Sequence, residues 1–321
     1  MQLSTLVDID PPAHRLDLGT SVLALGSCFA ERVGARLSRA LFPVTLNPTG
    51  TYYNPLSLAE TLRPDPIRPE LFLHDGLWRS LGHHSLLSGS DKRQTEACFH
   101  RAELERVQAL TKSKVLLLTL GTAQIWKTVS GGRLVANCHR LPSSMFSRSR
   151  LNPEDCVDAL KPLLQSWLDA DNDRQVVLTV SPVRYLRDGL VDNSRGKAVL
   201  LLACAALERS HPGISYFPSY EIFLDELRDY RFYEADLVQP NALGVEYVWE
   251  KFGEKYLTPK AQSRLPLIER IRKLADHRLT ERSRPRELGV KGLSLLEQLT
   301  NVEPQIDVSV LRRQFQDWAG I

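Results

Sequence analysis

Ser21-Val-Leu-Ala-Leu-Gly26-Ser-Cys28-Phe-Ala30-Glu-Arg-Val33-Gly-Ala-Arg-Leu37-Ser-Arg-Ala-Leu41 is the stretch whose reading decides the fold. Its first six residues are an apolar run closed by glycine, the pattern of a buried strand. Beyond it, Phe29, Val33, Leu37 and Leu41 recur at every fourth position and form one face of a helix. A strand, a tight turn and a helix therefore follow one another without a linker.

The same unit returns down the chain. Lys114 to Gly121 reads as a second buried strand, Gln175 to Val180 as a third closed by Ser181-Pro182, and Ile214 to Phe217 as a short fourth. Helical patterns lie between them, near Gln94 to Leu110, from Pro153 to Leu168 and from Ser194 to Leu207. Asn152 is placed to cap the second of these, with Pro153 at its first position. Tyr220 to Leu227, Pro240 to Phe252 and Thr258 to Asp276 read as further helices, and Asp229 to Val238 as a loop. Alternating strands and helices predict an α/β fold around a central, mostly parallel sheet. In such sheets the ligand crevice lies outside the carboxyl ends of the strands. Those ends carry Gly26-Ser27-Cys28, Gly121-Thr122 and Ser181-Pro182, so chemistry is expected where they converge.

Residues 43–60 read as loop, with Asn47-Pro48 and Asn54-Pro55 as turn signals. The domain is expected over 1–280, with insertions near 51–112 and 127–150, the latter holding a hairpin at Gly131-Gly132. A charged linker over 279–292 around Pro285 and a helical tail over 281–321 complete the chain.

Composition narrows the function. Of 321 residues, 43% are hydrophobic and 25% charged, as in globular domains. The 41 Lys and Arg against 38 Asp and Glu leave a net charge of +3, too balanced for a bulk nucleic-acid binder. Basic residues gather between Arg270 and Arg286, but acidic ones are interspersed, as on a solvated helix face. Met1 to Pro12 does not read as a signal peptide, so none is expected there, and no run approaches the ~20 apolar residues of a membrane span. Neither nucleic acid nor membrane is an expected partner. Five scattered cysteines without a C-x-x-C pair signal neither zinc nor disulfides, which points to a reducing cytoplasm. With no phosphate loop and no metal-spaced histidines, no cofactor or metal is expected.

Cys28 is the residue most suited to chemistry. A thiol at a helix N-terminus sits at the positive end of the macrodipole, which favours the thiolate. Neighbouring N–H groups there can hold an oxyanion. Buried core cysteine is the plain alternative.

The pentapeptide Gly26-Ser27-Cys28-Phe29-Ala30 resembles the naming motif of the GSCFA family, a branch of the SGNH/GDSL hydrolase-like superfamily. Seven further segments match in order: Asn47-Pro48 through Asn54-Pro55, His84-Ser85, Thr119-Leu120-Gly121-Thr122, Asn137-Cys138-His139, Ser181-Pro182-Val183-Arg184, Asp229 to Tyr233, and Asp236 to Pro240 leading to Tyr247-Val248-Trp249-Glu250. The likeness spans about residues 15–280. It implies a flavodoxin-like three-layer sandwich and an acyl-transfer enzyme, acyltransferase or hydrolase, working through a covalent acyl-enzyme. Aligned on Gly26, the nucleophile is Cys28; a one-residue shift would make it Ser27, as in a carbohydrate esterase. The oxyanion donors implied are the Cys28 N–H, Gly50 in the second block, and Thr122 or Asn137 where the family's third block has Asn. In the last block Asp orients a His base, and this chain has Asp236 and Gln239. A glutamine cannot take the proton. Three readings stay open: an engineered His-to-Gln change, a pseudoenzyme that only binds, or replacement of the base by His84 or His139. Arg184 either binds a substrate carboxylate or phosphate or pairs with Asp236. The partners implied are a small acyl donor and acceptor, with a carrier-protein or coenzyme A thioester as a reasonable donor.

Overall fold

The computed structural model describes residues 5–279 and 284–321. In chain order it contains β1 (Val22–Gly26), α1 (Cys28–Arg39), β2 (Val44–Leu46), α2 (Pro55–Thr61), β3 (Leu71–His74), β4 (Leu77–Ser80) and α3 (Lys92–Lys112). The middle holds β5 (Val115–Leu120), β6 (Gln124–Thr128), β7 (Leu134–Val135), β8 (Phe146–Arg150), α4 (Pro153–Asp169) and β9 (Gln175–Val180). The last third holds α5 (Gly189–Ser210), β10 (Ile214–Tyr216), α6 (Ser219–Glu221), α7 (Ala242–Tyr256), α8 (Pro259–Ala275), α9 (Pro285–Val302) and α10 (Ser309–Ala319).

Five strands pair in parallel in the order β10-β9-β5-β1-β2. Taken by chain order among themselves, this is 2-1-3-4-5, the flavodoxin-like order. The chain winds outward from β1 to β2, then crosses back to β5 and winds the other way. The switch point lies between β1 and β5.

Strand periodicity builds the layers. Val22, Ala24, Val115, Leu117 and Val177 face α1, α7, α8, α9 and α10 in one core. Leu23, Leu25, Leu116, Leu118, Val176 and Leu178 face α2, α3, α4 and α5 in the other. Both faces are covered, so the strands are apolar throughout instead of alternating. The flavodoxin-like sandwich expected from the sequence is the fold. Among the described residues, no helix is long and apolar enough to cross a membrane.

Helix boundaries follow their caps. The Asn152 side chain accepts from the Asp155 N–H and the Asp155 side chain accepts from the Asn152 N–H, a full capping box with Pro153 at the first position. Asn54 and Pro55 open α2 by the same logic, so part of the stretch read as loop over 43–60 is β2 and α2. A glycine-turn hairpin, β3–β4, stands within the first insertion and was not anticipated. The hairpin expected at Gly131-Gly132 joins β6 to β7, and β8 pairs with the far edge of β6. Of the linker read over 279–292, the part from Pro285 onward belongs to α9, and residues 280–283 lie outside the described residues.

The first insertion is held by a buried ionic hub. Arg106 on α3 donates to the carbonyls of Thr61, Arg63 and Asp65 at 2.9, 2.6 and 2.8 Å. Its Nε and Nη2 donate to Glu103 Oε2 at 3.0 and 2.7 Å. Glu103 also accepts from the Ile67 N–H and faces His83, which meets Ser80 on β4. Burial pushes the Glu103 carboxyl up, but its bonds from His83, Arg106 and Ile67 outweigh that and hold it below the ordinary carboxylate range.

Candidate active site

Gly26 ends β1 with φ +131°, and a Cβ there would lie 2.2 Å from the Thr119 carbonyl oxygen. Only glycine turns the chain at this point without strain. Ser27 follows as the N-cap of α1, its Oγ accepting from the Phe29 N–H at 3.3 Å and its N–H donating to the Thr119 carbonyl. The Ser27 side chain is 2% exposed and its Oγ accepts the capping bond, with its hydroxyl proton uncommitted. Cys28 is half-buried at the first helical position. Its N–H makes no hydrogen bond to a described residue, as the first turn of a helix permits.

A cavity of about 300 Å³ opens at the carboxyl ends of β1, β5 and β9, beside the switch point. Ser27, Cys28, Thr122, Arg184 and Gln239 all line it, so the structure brings these residues together from four chain segments. Tyr53, not singled out from the sequence, also lines it and sets its Oη 3.3 Å from Cys28 Sγ. The Tyr53 carbonyl accepts from the N–H groups of both Gly121 and Thr122 at 2.8 Å, which fixes the ring over the thiol. Burial, then the bond to Cys28, push the Tyr53 phenol well above its ordinary value. Tyr53 therefore stays a neutral donor that can solvate a thiolate.

Other candidates take different places. Gly50 has φ +95° and its N–H donates to the Asn47 carbonyl; a Cβ there would strike His84 Cβ at 2.2 Å. Gly50 and His84 thus pack against each other and neither lines the Cys28 cavity. Burial lowers the His84 imidazole below its ordinary value. His139 and Asn137 line an adjoining chamber of about 360 Å³ under the β7-β6-β8 sheet. His139 Nε2 meets the Ser80 carbonyl at 2.7 Å, its Nδ1 is buried without a partner, and burial lowers its pKa. Asn137 Oδ1 accepts from the His139 N–H.

Asp236 is exposed, and its Oδ1 accepts from the Val238 and Gln239 N–H groups at 2.8 and 3.1 Å. Those two bonds hold its carboxyl below the ordinary range. It shapes the loop that presents Gln239 and does not bond the Gln239 side chain, whose Oε1 is buried and unpartnered. Arg184 does not pair with Asp236. It donates to the Leu237 carbonyl and lies over the rings of Tyr230 and Tyr233 at 5.1 and 4.7 Å, clamping the same loop. Thr122 uses its N–H on Tyr53 and accepts from the Gln124 N–H at Oγ1, so only its hydroxyl proton is uncommitted. No histidine, aspartate or glutamate is among the described residues lining the Cys28 cavity.

Behind the cavity stands Lys197, which sequence reasoning missed. Its Nζ donates to the carbonyls of Gly121 and Ser181 at 2.7 and 2.6 Å, tying the ends of β5 and β9 together. At 2% exposure and with no carboxylate partner among the described residues, burial lowers its pKa to about 7. A neutral amine has two N–H donors, and two carbonyls take them. The signal was present in the sequence: Lys197 shares its helix face with Leu200, Cys204 and Leu207, all buried.

Among curated proteins no sequence matches this chain. A family model does, over residues 21–252, which takes in the glycine turn, the Cys28 helix start and the loop bearing Gln239. By that match, which covers well over half of its length, the chain belongs to the GSCFA family.

Proposed function

We propose that this protein transfers acyl groups through a covalent thioester on Cys28. One observation carries the reading: Cys28 sets its Sγ under the Tyr53 hydroxyl in the cavity at the topological switch point, while Ser27, which also lines it, is 2% exposed and turns its Oγ to the cap of α1. That favours Cys28 over Ser27 as nucleophile.

The absence of a histidine, aspartate or glutamate among the cavity's described residues narrows the chemistry, since the Tyr53 phenol is held well above its ordinary pKa and gives up its proton poorly. The Cys28 thiolate, supported by the start of α1 and the Tyr53 hydroxyl, attacks the donor carbonyl and the new S–C bond forms. The Cys28 N–H, with the Thr122 hydroxyl, is placed to hold the oxyanion. Collapse then breaks the donor's own bond to its leaving group. A thiolate of pKa ~8.5 leaves without being protonated, whereas an alkoxide would need an acid. The site therefore suits thioester donors better than oxygen esters, with a carrier-protein or coenzyme A thioester as the natural form. An amine acceptor, already nucleophilic in its neutral fraction, then attacks the Cys28 thioester, loses its proton to solvent and releases the thiolate. Five free cysteines accord with a reducing, cytoplasmic setting.

Gln239 in the cavity also favours a second reading, a protein that binds acyl compounds without turning them over. The experiment separates the two. Intact-protein mass is measured after incubation with short acyl thioesters and again after addition of an amine. We expect one acyl adduct, absent in Cys28→Ala, retained in Ser27→Ala and discharged by the amine. An adduct that persists supports the binding reading. No adduct in either this chain or Gln239→His ends the acyl-enzyme reading.

A further inference from the structure

The chamber beside the Cys28 cavity shares Tyr53, Thr122 and Tyr185 with it, so one ligand can occupy both. Its charges have one sign. Arg140 and Arg187 line it, and no described aspartate or glutamate does. Neither arginine forms an ion pair with a described side chain. Arginines nearby are treated differently: Arg150 and Arg195 both pair with Asp192. The Arg187 guanidinium lies 5.4 Å from the Trp126 ring, a stack that restrains the planar fork without using its N–H donors. Asn137 has its oxygen committed to His139, which leaves its NH₂ as a further donor at the chamber wall.

Both arginines are exposed at the chamber wall, and an anion entering the chamber gains charge-assisted hydrogen bonds from their uncommitted donors. We propose that this chamber is the subsite for the anionic end, phosphate or carboxylate, of the substrate whose acyl carbonyl reaches Cys28. The proposal rests on the Cys28 reading for what happens at the other end of the ligand, but binding of the anion does not require the thiol.

The test uses the full chain carrying Cys28→Ala. Inorganic phosphate and, separately, glutarate are titrated calorimetrically at constant ionic strength against chloride. We expect saturable binding of at least one, weakened about tenfold by Arg187→Gln and by Arg140→Gln, and unchanged by Arg195→Gln. Which of the two anions binds identifies the headgroup. Non-saturable binding, or equal weakening by Arg195→Gln, overturns the proposal. In the chain with Cys28 intact, a thioester ending in a carboxylate or phosphate should acylate about tenfold faster than a neutral one of equal length, and Arg187→Gln should erase that preference. Arginine-dependent anion binding with no adduct would leave the chamber standing and remove the Cys28 reading. Adducts formed at equal rates, with no anion binding, would do the reverse.

Discussion

Arg106 and Lys197 are both buried cations on long helices, and the protein treats them in opposite ways. Arg106 has a carboxylate and three backbone carbonyls, and its partner Glu103 is itself held by a backbone N–H and faces His83. Lys197 has two carbonyls and, among the described residues, no counter-ion. The first arrangement is saturated and locks the insertion onto α3. The second leaves a group that changes charge near neutrality directly behind the Cys28 cavity, whose rim also keeps Gln239 Oε1 unpartnered. The buried charge is matched by a carboxylate where the insertion is fixed, and behind the cavity it is met by carbonyls alone.

Arg106→Leu should do the most damage, because it strands a buried carboxylate. We expect a loss of about 3–5 kcal/mol in urea unfolding, largely recovered in the Arg106→Leu/Glu103→Leu double variant. A loss under ~1 kcal/mol would break the comparison.

The contrast sharpens with pH. Lys197 has a folded-state pKa of about 7, below its ordinary 10.5, so the unfolded chain binds more protons between those values. Stability must then rise with pH through that window, with the penalty of the buried charge fully present below about 7. From pH 6 to 8 the protein should gain about 1.4 kcal/mol more than Lys197→Met does. The two lowered histidines, His84 and His139, also favour the folded state as pH rises, but they are common to both proteins and cancel. Equal slopes would show that Lys197 is charged throughout.

The smallest effect is expected at Asp236. Asparagine keeps the oxygen that accepts from Val238 and Gln239, so Asp236→Asn should leave the rate of Cys28 acylation within about twofold. A group that orients a catalytic base would show a loss of ~10²-fold or more. That larger loss would mean Asp236 acts on chemistry and not only on loop shape.

Much of this was legible beforehand. Buried strands at Ser21–Gly26, Lys114–Gly121 and Gln175–Val180 announce themselves as apolar runs ending in small residues, and the caps at Asn152 and Thr258 mark helix starts within a residue. The convergence of Cys28 and Thr122 beside Ser181 followed from strand ends alone, whereas Gln239 was placed only by its position in the family's last motif. What escaped depends on tertiary partners. β3 and β4 are short strands whose pairing is set by the turn at Asp75-Gly76, and Arg106, far away in sequence, holds the chain leading into them. The motif positions of Gly50, His84 and Asp236 said nothing of where their N–H, ring or carboxylate would point. Lys197 stands just before an apolar run in its helix, and the two carbonyls it ties are what explain its burial.

The match to the family stops at residue 252, yet the core does not. Leu295, Leu296, Leu299 and Phe315 complete the apolar layer over α7 and α8, and buried Glu303 binds Lys260 and Arg264. The unit that inheritance recognises is therefore smaller than the unit that folds. A gene fragment trimmed to the matched residues would leave a greasy face uncovered and precipitate, whereas one carried through α10 should express as a cooperative whole.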